Sequence, residues 1–297
     1  MRPWHRSPST QGDGDGHGVT RPGLLSAVYF VVLVLALASL QGLPALVDSL
    51  GGRSPEWLAS LTLLVGGGLS PLWALLIVGG LTLRGSRLRV LVRNSLRCRV
   101  DRRLYVAALL LPFAVMGMAA MLSGTPFSGL DGDPLMLVGQ VLLLAPLFAL
   151  AEQLGWRTWL QQGLQERFSG WVAGMLVGIV WAVFHWPLFL SGSPSVHANL
   201  PFASFVVLTT AVSVVLAGLF NAARGSVVPV VVGHVAWNVS VQLWLPPTVP
   251  ETRLLFLVSA VLFAAAAFGF AAWSRTKSNT EPPAGRSSGD RWSGPVL

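Results

Sequence analysis

The sequence is short of charge and of cysteine, and each shortage closes off a class of answers. Charged residues make up 11% of the 297 positions against 53% hydrophobic, with a mean hydropathy of +0.64. That composition excludes an ordinary soluble globular domain. The single cysteine, Cys98, stands in an arginine-rich stretch, so neither a disulfide framework nor a CxxC metal or redox site can be built. Short alternating segments are missing too, and without them a transmembrane barrel is excluded. No HExxH is present; "GHVAWN" is the nearest approach, and it makes no zincin helix. No removable signal peptide is expected, because the first apolar run is too long and another span follows it.

What is there is apolar and continuous. Stretches near 24–46, 58–83, 104–123, 134–156, 171–191, 202–222, 227–245 and 254–273 each supply the roughly 20 apolar residues that a hydrocarbon core of about 30 Å demands. The expected fold is all-α, a polytopic transmembrane bundle of about eight spans occupying 23–274. Arg84, Arg87, Arg89, Arg93, Arg97, Arg99, Arg102 and Arg103 lie between the second and third stretches, whereas the next loop, "SGTPFSGLDGD", carries only Asp131 and Asp133. The positive-inside rule makes the arginine loop cytoplasmic. Arg167, Arg224 and both termini then fall on the same side, with "SGSPSVHANL" and "PPTVPE" outside. The 84–103 loop is expected to hold anionic headgroups of the bilayer at about 1 kcal/mol per basic residue. No nucleic-acid motif accompanies the net charge of +8, so no nucleic-acid partner is expected. Residues 1–22 and 275–297, rich in Gly, Ser, Pro and charge, are expected to be disordered. Arginine in preference to lysine, with abundant Ala, Leu, Val and Gly, points to a bacterial cell membrane.

Ionisable residues inside spans are costly and count by default as candidates for function. They are few here: Glu152 and Arg157 at the end of the fourth stretch, His185 in the fifth, and His234 with Asn238 in the seventh. The polar chemistry is expected on those three helices alone. Residues at i and i+4 share a helix face. His234 and Asn238 are so spaced and aim an imidazole and a carboxamide into one cleft; Trp181 and His185 are so spaced and pack a ring beside the imidazole. Arg157 is four residues from Gln153 and five from Glu152, which pairs it with Gln153 and leaves Glu152 to point elsewhere. A carboxylate in a partly dry site suits a general base that takes a proton from water. Imidazoles and a carboxamide beside it could position the water, bind a metal or donate to an oxyanion. Hydrolysis and ion handling both remain open on this reading, as does a purely structural role in gluing helices together at about 0.6–2 kcal/mol per group.

The order of these groups narrows the choice. "AEQLGWRTWLQQGLQERF", "GIVWAVFHWPLFL" and "GHVAWNVS" together resemble the CPBP (CAAX protease and bacteriocin-processing, also called ABI) family of intramembrane proteases. That family shows EExxxR on one helix, an aromatic-xxx-His motif on a second, and HxxxN or HxxxB on a third. The resemblance spans about 145–245, within a core of about 130–245. It implies an intramembrane catalytic cleft in which Glu152 and His185 activate water for peptide-bond hydrolysis, His234 and Asn238 steady the oxyanion, and Gln153, Arg157 and Trp181 support them. Glu152, His185 and His234 could instead hold zinc with an open coordination position, so the metal stays undecided. The implied substrate is a peptide or a membrane-associated protein, with bacteriocin leader processing or self-immunity as bacterial settings. Two positions depart from the family pattern. Gln153 replaces its second glutamate, and Trp181 stands where phenylalanine is usual, as another flat apolar wall. Gln153 can still accept from Arg157 through its carbonyl oxygen.

Three rival outcomes follow: a catalytically impaired relative acting in immunity, a scaffold, and a transporter with Glu152 and the histidines as a proton relay. Helix ends read from hydropathy also set a conflict. Glu152 and His234 come out near the cytoplasmic boundary, while His185 lies ~22 Å along its helix at about 1.5 Å per residue. They meet only if helices extend beyond those ends, and 157–168, with Trp159, Leu160, Leu164 and Phe168 on one side, is expected to continue the fourth helix or to lie in the interface.

Overall fold

A computed structural model describes residues 22–83, 85–127, 139–190, 201–244 and 252–280. The expected disordered segments before 22 and after 280, and the loops "SGSPSVHANL" and "PPTVPE", lie outside the described residues, as does most of "SGTPFSGLDGD". Among the described residues the chain is helical throughout, with no strand. The helices are α1 (Leu24–Ser49), α2 (Glu56–Gly68), α3 (Ser70–Thr82), α4 (Gly85–Ser95), α5 (Arg102–Ser123), α6 (residues 140–164), α7 (Gly170–Leu190), α8 (Phe202–Ala222), α9 (Val228–Trp244) and α10 (Thr252–Thr280).

Four of these, α1, α5, α7 and α8, are long and apolar enough to cross a membrane, and α2 with α3 makes a fifth if the pair is taken as one bent span. The chain is a membrane protein. The remaining three expected spans coincide with α6, α9 and the apolar part of α10, Leu254–Gly269, which are shorter or interrupted by polar residues. The stretch 58–83 is not one straight helix. The backbone leaves helical geometry at Gly67 (φ −88°, ψ −118°), and the axes of α2 and α3 differ by 56°. At the other end, α10 runs to Thr280, past the boundary near 275 that composition suggests. No proline interrupts it before Pro282, and proline is what stops a helix most sharply.

The core forms where the aromatic side of α6 meets α1, α3 and α7. Trp156 and Trp159 are fully buried. Phe30 of α1 and Phe184 of α7 pack edge-on against Trp156 at 5.7 and 5.6 Å between ring centroids, and Trp159 Nε1 donates to the Ser26 carbonyl at 3.4 Å. Close helix approach depends on glycine at two places. A Cβ on Gly155 would stand 2.6 Å from Pro71 Cβ and 2.7 Å from the Pro71 carbonyl oxygen; one on Gly178 would stand 2.6 Å from the Thr210 Cα. These contacts let α6 seat against α3, and α7 against α8.

The basic segment closes one end of the bundle. In α4, Leu88 and Leu91 are buried while Arg87, Arg89 and Arg93 are exposed, the pattern of a helix lying along a surface. The segment after it is tied to the α8–α9 turn: Arg97 Nη2 donates to the Arg224 carbonyl at 2.7 Å, Ser226 Oγ donates to the Arg97 carbonyl at 2.6 Å, and the Val227 amide donates to the Ser95 carbonyl at 2.8 Å. Arg97 and Arg224, which the charge pattern assigns to one side, therefore sit together.

Candidate active site

The conflict over depth disappears because α6 does not end near residue 156. It continues to Leu164, and over Leu154–Gln161 it widens into a π-helix, a geometry that recurs at functional sites. Glu152 thereby lies well inside the bundle, level with His185 near the far end of the Gly170–Phe184 segment. Residues 154–161 are all buried, so this half of α6 belongs to the core and not to the interface; Leu164 is partly buried and Phe168 is exposed.

Glu152 is 8% exposed, and its two hydrogen bonds converge on one oxygen. Trp181 Nε1 donates to Oε2 at 2.8 Å and Trp156 Nε1 donates to the same atom at 3.3 Å. Among the described residues no donor reaches Oε1. Trp181 thus does more than form a flat wall: its indole N–H holds the carboxylate. Its ring also stands edge-on to two imidazoles, His234 at 5.1 Å and His185 at 6.0 Å. His185 Nδ1 bonds to the Trp181 carbonyl at 2.8 Å, and Phe184 and Phe205 flank the imidazole at 4.9 and 5.4 Å. The i,i+4 relation of Trp181 and His185 thus positions the histidine through the backbone as well as through the ring.

Arg157 is fully buried and has no acidic partner among the described residues. Its Nε donates to Gln153 Oε1 at 2.9 Å, the contact that their spacing predicts, its Nη1 to Gln161 Oε1 at 3.0 Å, and its Nη2 to Ser213 Oγ at 3.1 Å. Ser213 in turn donates to the Gly174 carbonyl at 2.8 Å. Gln153 Nε2 lies 2.9 Å from His234 Nδ1. A buried charge is costly unless it is hydrogen-bonded, and here each of the three guanidinium nitrogens finds one neutral oxygen, from two helices. The expectation that polar chemistry stays on three helices is corrected by Ser213, which brings in α8.

Contacts therefore join Glu152, Gln153, Arg157, Trp181, His185 and His234 into one cluster. Asn238 follows His234 by one turn on α9 and is half-buried, but no hydrogen bond or ring contact ties it to the others. Sequence reasoning passed over Trp156, Gln161, Ser213 and Phe184. The first two carried a signal, since each lies four residues after a candidate, Glu152 and Arg157 respectively. Ser213 carried none, being one hydroxyl in an apolar helix.

Residues 134–240 match the family described as type II CAAX prenyl endopeptidase Rce1-like. A curated relative, CAAX prenyl protease 2 of Methanococcus maripaludis, is 29% identical over 133 residues. Over this segment the chain is similar to CAAX proteases. The aligned part is 41% of this chain and 48% of the relative, so the chain spans about half the length of the curated relative that it matches. The matched segment contains α6 to α9 up to Ser240 and takes in every residue of the cluster. Helices α1 to α5 lie outside it, although α1 and α3 supply part of the packing around Trp156 and Trp159.

Proposed function

We propose that the chain is an intramembrane endopeptidase that hydrolyses a peptide bond in a peptide or membrane-associated protein, with Glu152 as general base. The observation that carries this reading is the Glu152 carboxylate, held at Oε2 by two indole donors, in the same cluster as His185 and His234. Glu152 takes a proton from a water molecule, which His185 helps to orient, and the resulting hydroxide attacks the scissile carbonyl carbon. The carbonyl π pair moves onto oxygen, where His234 and Asn238 act as donors. Glu152 then returns the proton to the departing nitrogen, the oxyanion re-forms the carbonyl as the C–N bond breaks, and a carboxylic acid and an amine leave.

A zinc ion would need three protein ligands. Among the described residues no three of His, Cys, Asp and Glu stand together as such a set, and Glu152 Oε2 already accepts two N–H groups. The donors present do not fit a zinc centre, and no step above passes through a metal. The test is cleavage of a fluorogenic peptide library by detergent-purified protein, read by mass spectrometry with and without chelator. Cleavage that survives chelation supports the mechanism; cleavage abolished by chelation and restored by zinc contradicts it.

Gln153 favours a second reading, a catalytically impaired relative serving in bacteriocin self-immunity or as a scaffold, because the family's second carboxylate is missing. A Gln153→Glu variant that cleaves substrate while the unaltered chain does not would establish that reading. For the basic surface, we propose contact with anionic headgroups through Arg87, Arg89 and Arg93, which are exposed on α4 while Leu88 and Leu91 are buried. Native mass spectrometry should show less retained anionic lipid after the triple change to glutamine; equal retention would remove the lipid role.

A further inference from the structure

The hydrogen-bond chain through Arg157 has a fixed sense, and that sense reaches His234. A guanidinium can only donate, and a backbone carbonyl can only accept. The Gly174 carbonyl takes the Ser213 hydroxyl hydrogen, so Ser213 Oγ is left to accept from Arg157 Nη2. Arg157 Nε faces the Gln153 amide and requires its oxygen there. Turning the amide over would set NH2 against N–H, with two donors opposed in a buried site. The Gln153 nitrogen therefore faces His234 Nδ1, and a nitrogen that receives an N–H cannot carry a proton of its own.

We infer that Arg157 and Gln153 fix His234 as the neutral tautomer protonated at Nε2, which makes Gln153 a positioning residue for an N–H donor. This deepens the proposed hydrolytic reading and rests on it for its purpose, because an oxyanion needs a donor and not a lone pair. His185 is set the other way. Its Nδ1 faces the Trp181 carbonyl and must donate, so in the neutral ring Nε2 is the basic nitrogen. One imidazole of the cluster is thus held as a donor and the other as an acceptor, each through the group bonded to its Nδ1. The departure at position 153 gains a chemical meaning. A carboxylate there has no hydrogen to give, and it would accept from Arg157 and from a protonated Nδ1 of His234 instead. The family's glutamate and this chain's glutamine present His234 to the cleft in different protonation patterns. The tautomer assigned here also leaves no lone pair on Nε2 for a metal.

Nitrogen NMR of the full chain in detergent, labelled at histidine, reads the tautomer directly. The five histidines are sorted by comparison with a His234→Gln variant, whose spectrum lacks the His234 signals. The expected spectrum has His234 Nδ1 in the unprotonated range and Nε2 in the protonated range, and Gln153→Glu moves Nδ1 to the protonated range. A wild-type His234 protonated at Nδ1, or averaged between the two nitrogens, overturns the assignment; so does a folded Gln153→Glu variant whose His234 shifts are unchanged. If that variant does not fold, the wild-type spectrum decides alone. Peptidase activity is not the readout, so the two ideas fail separately. A chain with the Nε2–H tautomer and no cleavage would sink the hydrolytic reading, and a cleaving chain with Nδ1–H would sink the tautomer.

Discussion

Replacing Trp181 with phenylalanine removes one N–H and leaves most of the ring, at the residue that touches the carboxylate and both imidazoles. The lost bond, Nε1 to Glu152 Oε2, is the shorter of the two at 2.8 Å; Trp156 remains at 3.3 Å. A hydrogen bond to a charged group is worth about 1.5–3 kcal/mol. If that bond holds the base in its reactive orientation, its loss appears in the transition state. At about 1.4 kcal/mol per tenfold in rate, kcat/KM for peptide cleavage should fall roughly 10- to 150-fold. Trp156→Phe is the matched comparison. It removes the longer bond, so its rate penalty should be smaller, but Trp156 is fully buried between Phe30 and Phe184, so its loss of thermal stability should be larger. Steady-state kinetics and thermal unfolding of both variants in the same detergent separate the two effects. A Trp181→Phe protein with kcat/KM within twofold of wild type would refute the idea that the indole N–H orients Glu152.

Arg157→Met leaves Gln153 Oε1, Gln161 Oε1 and Ser213 Oγ without their donor. At about 1–3 kcal/mol for each unsatisfied buried group, the variant should lose roughly 3 kcal/mol or more, seen as a large fall in the unfolding temperature; an unchanged temperature would mean the network contributes nothing. Gly178→Ala puts a methyl against the Thr210 Cα at 2.6 Å, and since backbone must move, it should destabilise by about 1–3 kcal/mol. Gly80→Ala, with nothing within 4 Å of the new carbon, is the control that should unfold at or above the wild-type temperature.

The candidate site was legible to the extent that helix periodicity carries it. Four-residue spacing pairs Gln153 with Arg157, and the rarity of ionisable groups in apolar stretches singles out Glu152, His185 and His234. What hydropathy hid was the length of α6. From Trp156 to Gln161 the sequence is rich in tryptophan, glutamine, threonine and arginine, which reads as an exit from the membrane, yet these residues are buried against other helices, with Arg157 bonded to Gln153, Gln161 and Ser213. A polar helix enclosed by protein has the composition of a surface helix, and a scale of side-chain transfer cannot distinguish them. The bend after α2 was missed for a related reason: the run Gly66–Gly67–Gly68 is apolar and so counts toward a span, although Gly67 departs from helical geometry. Ser213 shows the remaining gap, because contacts between helices distant in sequence are set by packing and leave no periodic trace.

The central claim is that Glu152 is the base. Glu152→Gln keeps the shape of the side chain and an oxygen that can accept from Trp181, and it removes the ability to take a proton from water. Cleavage of the best peptide found for the wild type, measured with both proteins at matched concentration and verified by their unfolding temperatures to be folded, should drop by about 10²–10⁴-fold, the usual contribution of general acid–base catalysis. A folded Glu152→Gln protein that cleaves within tenfold of wild type would contradict the account.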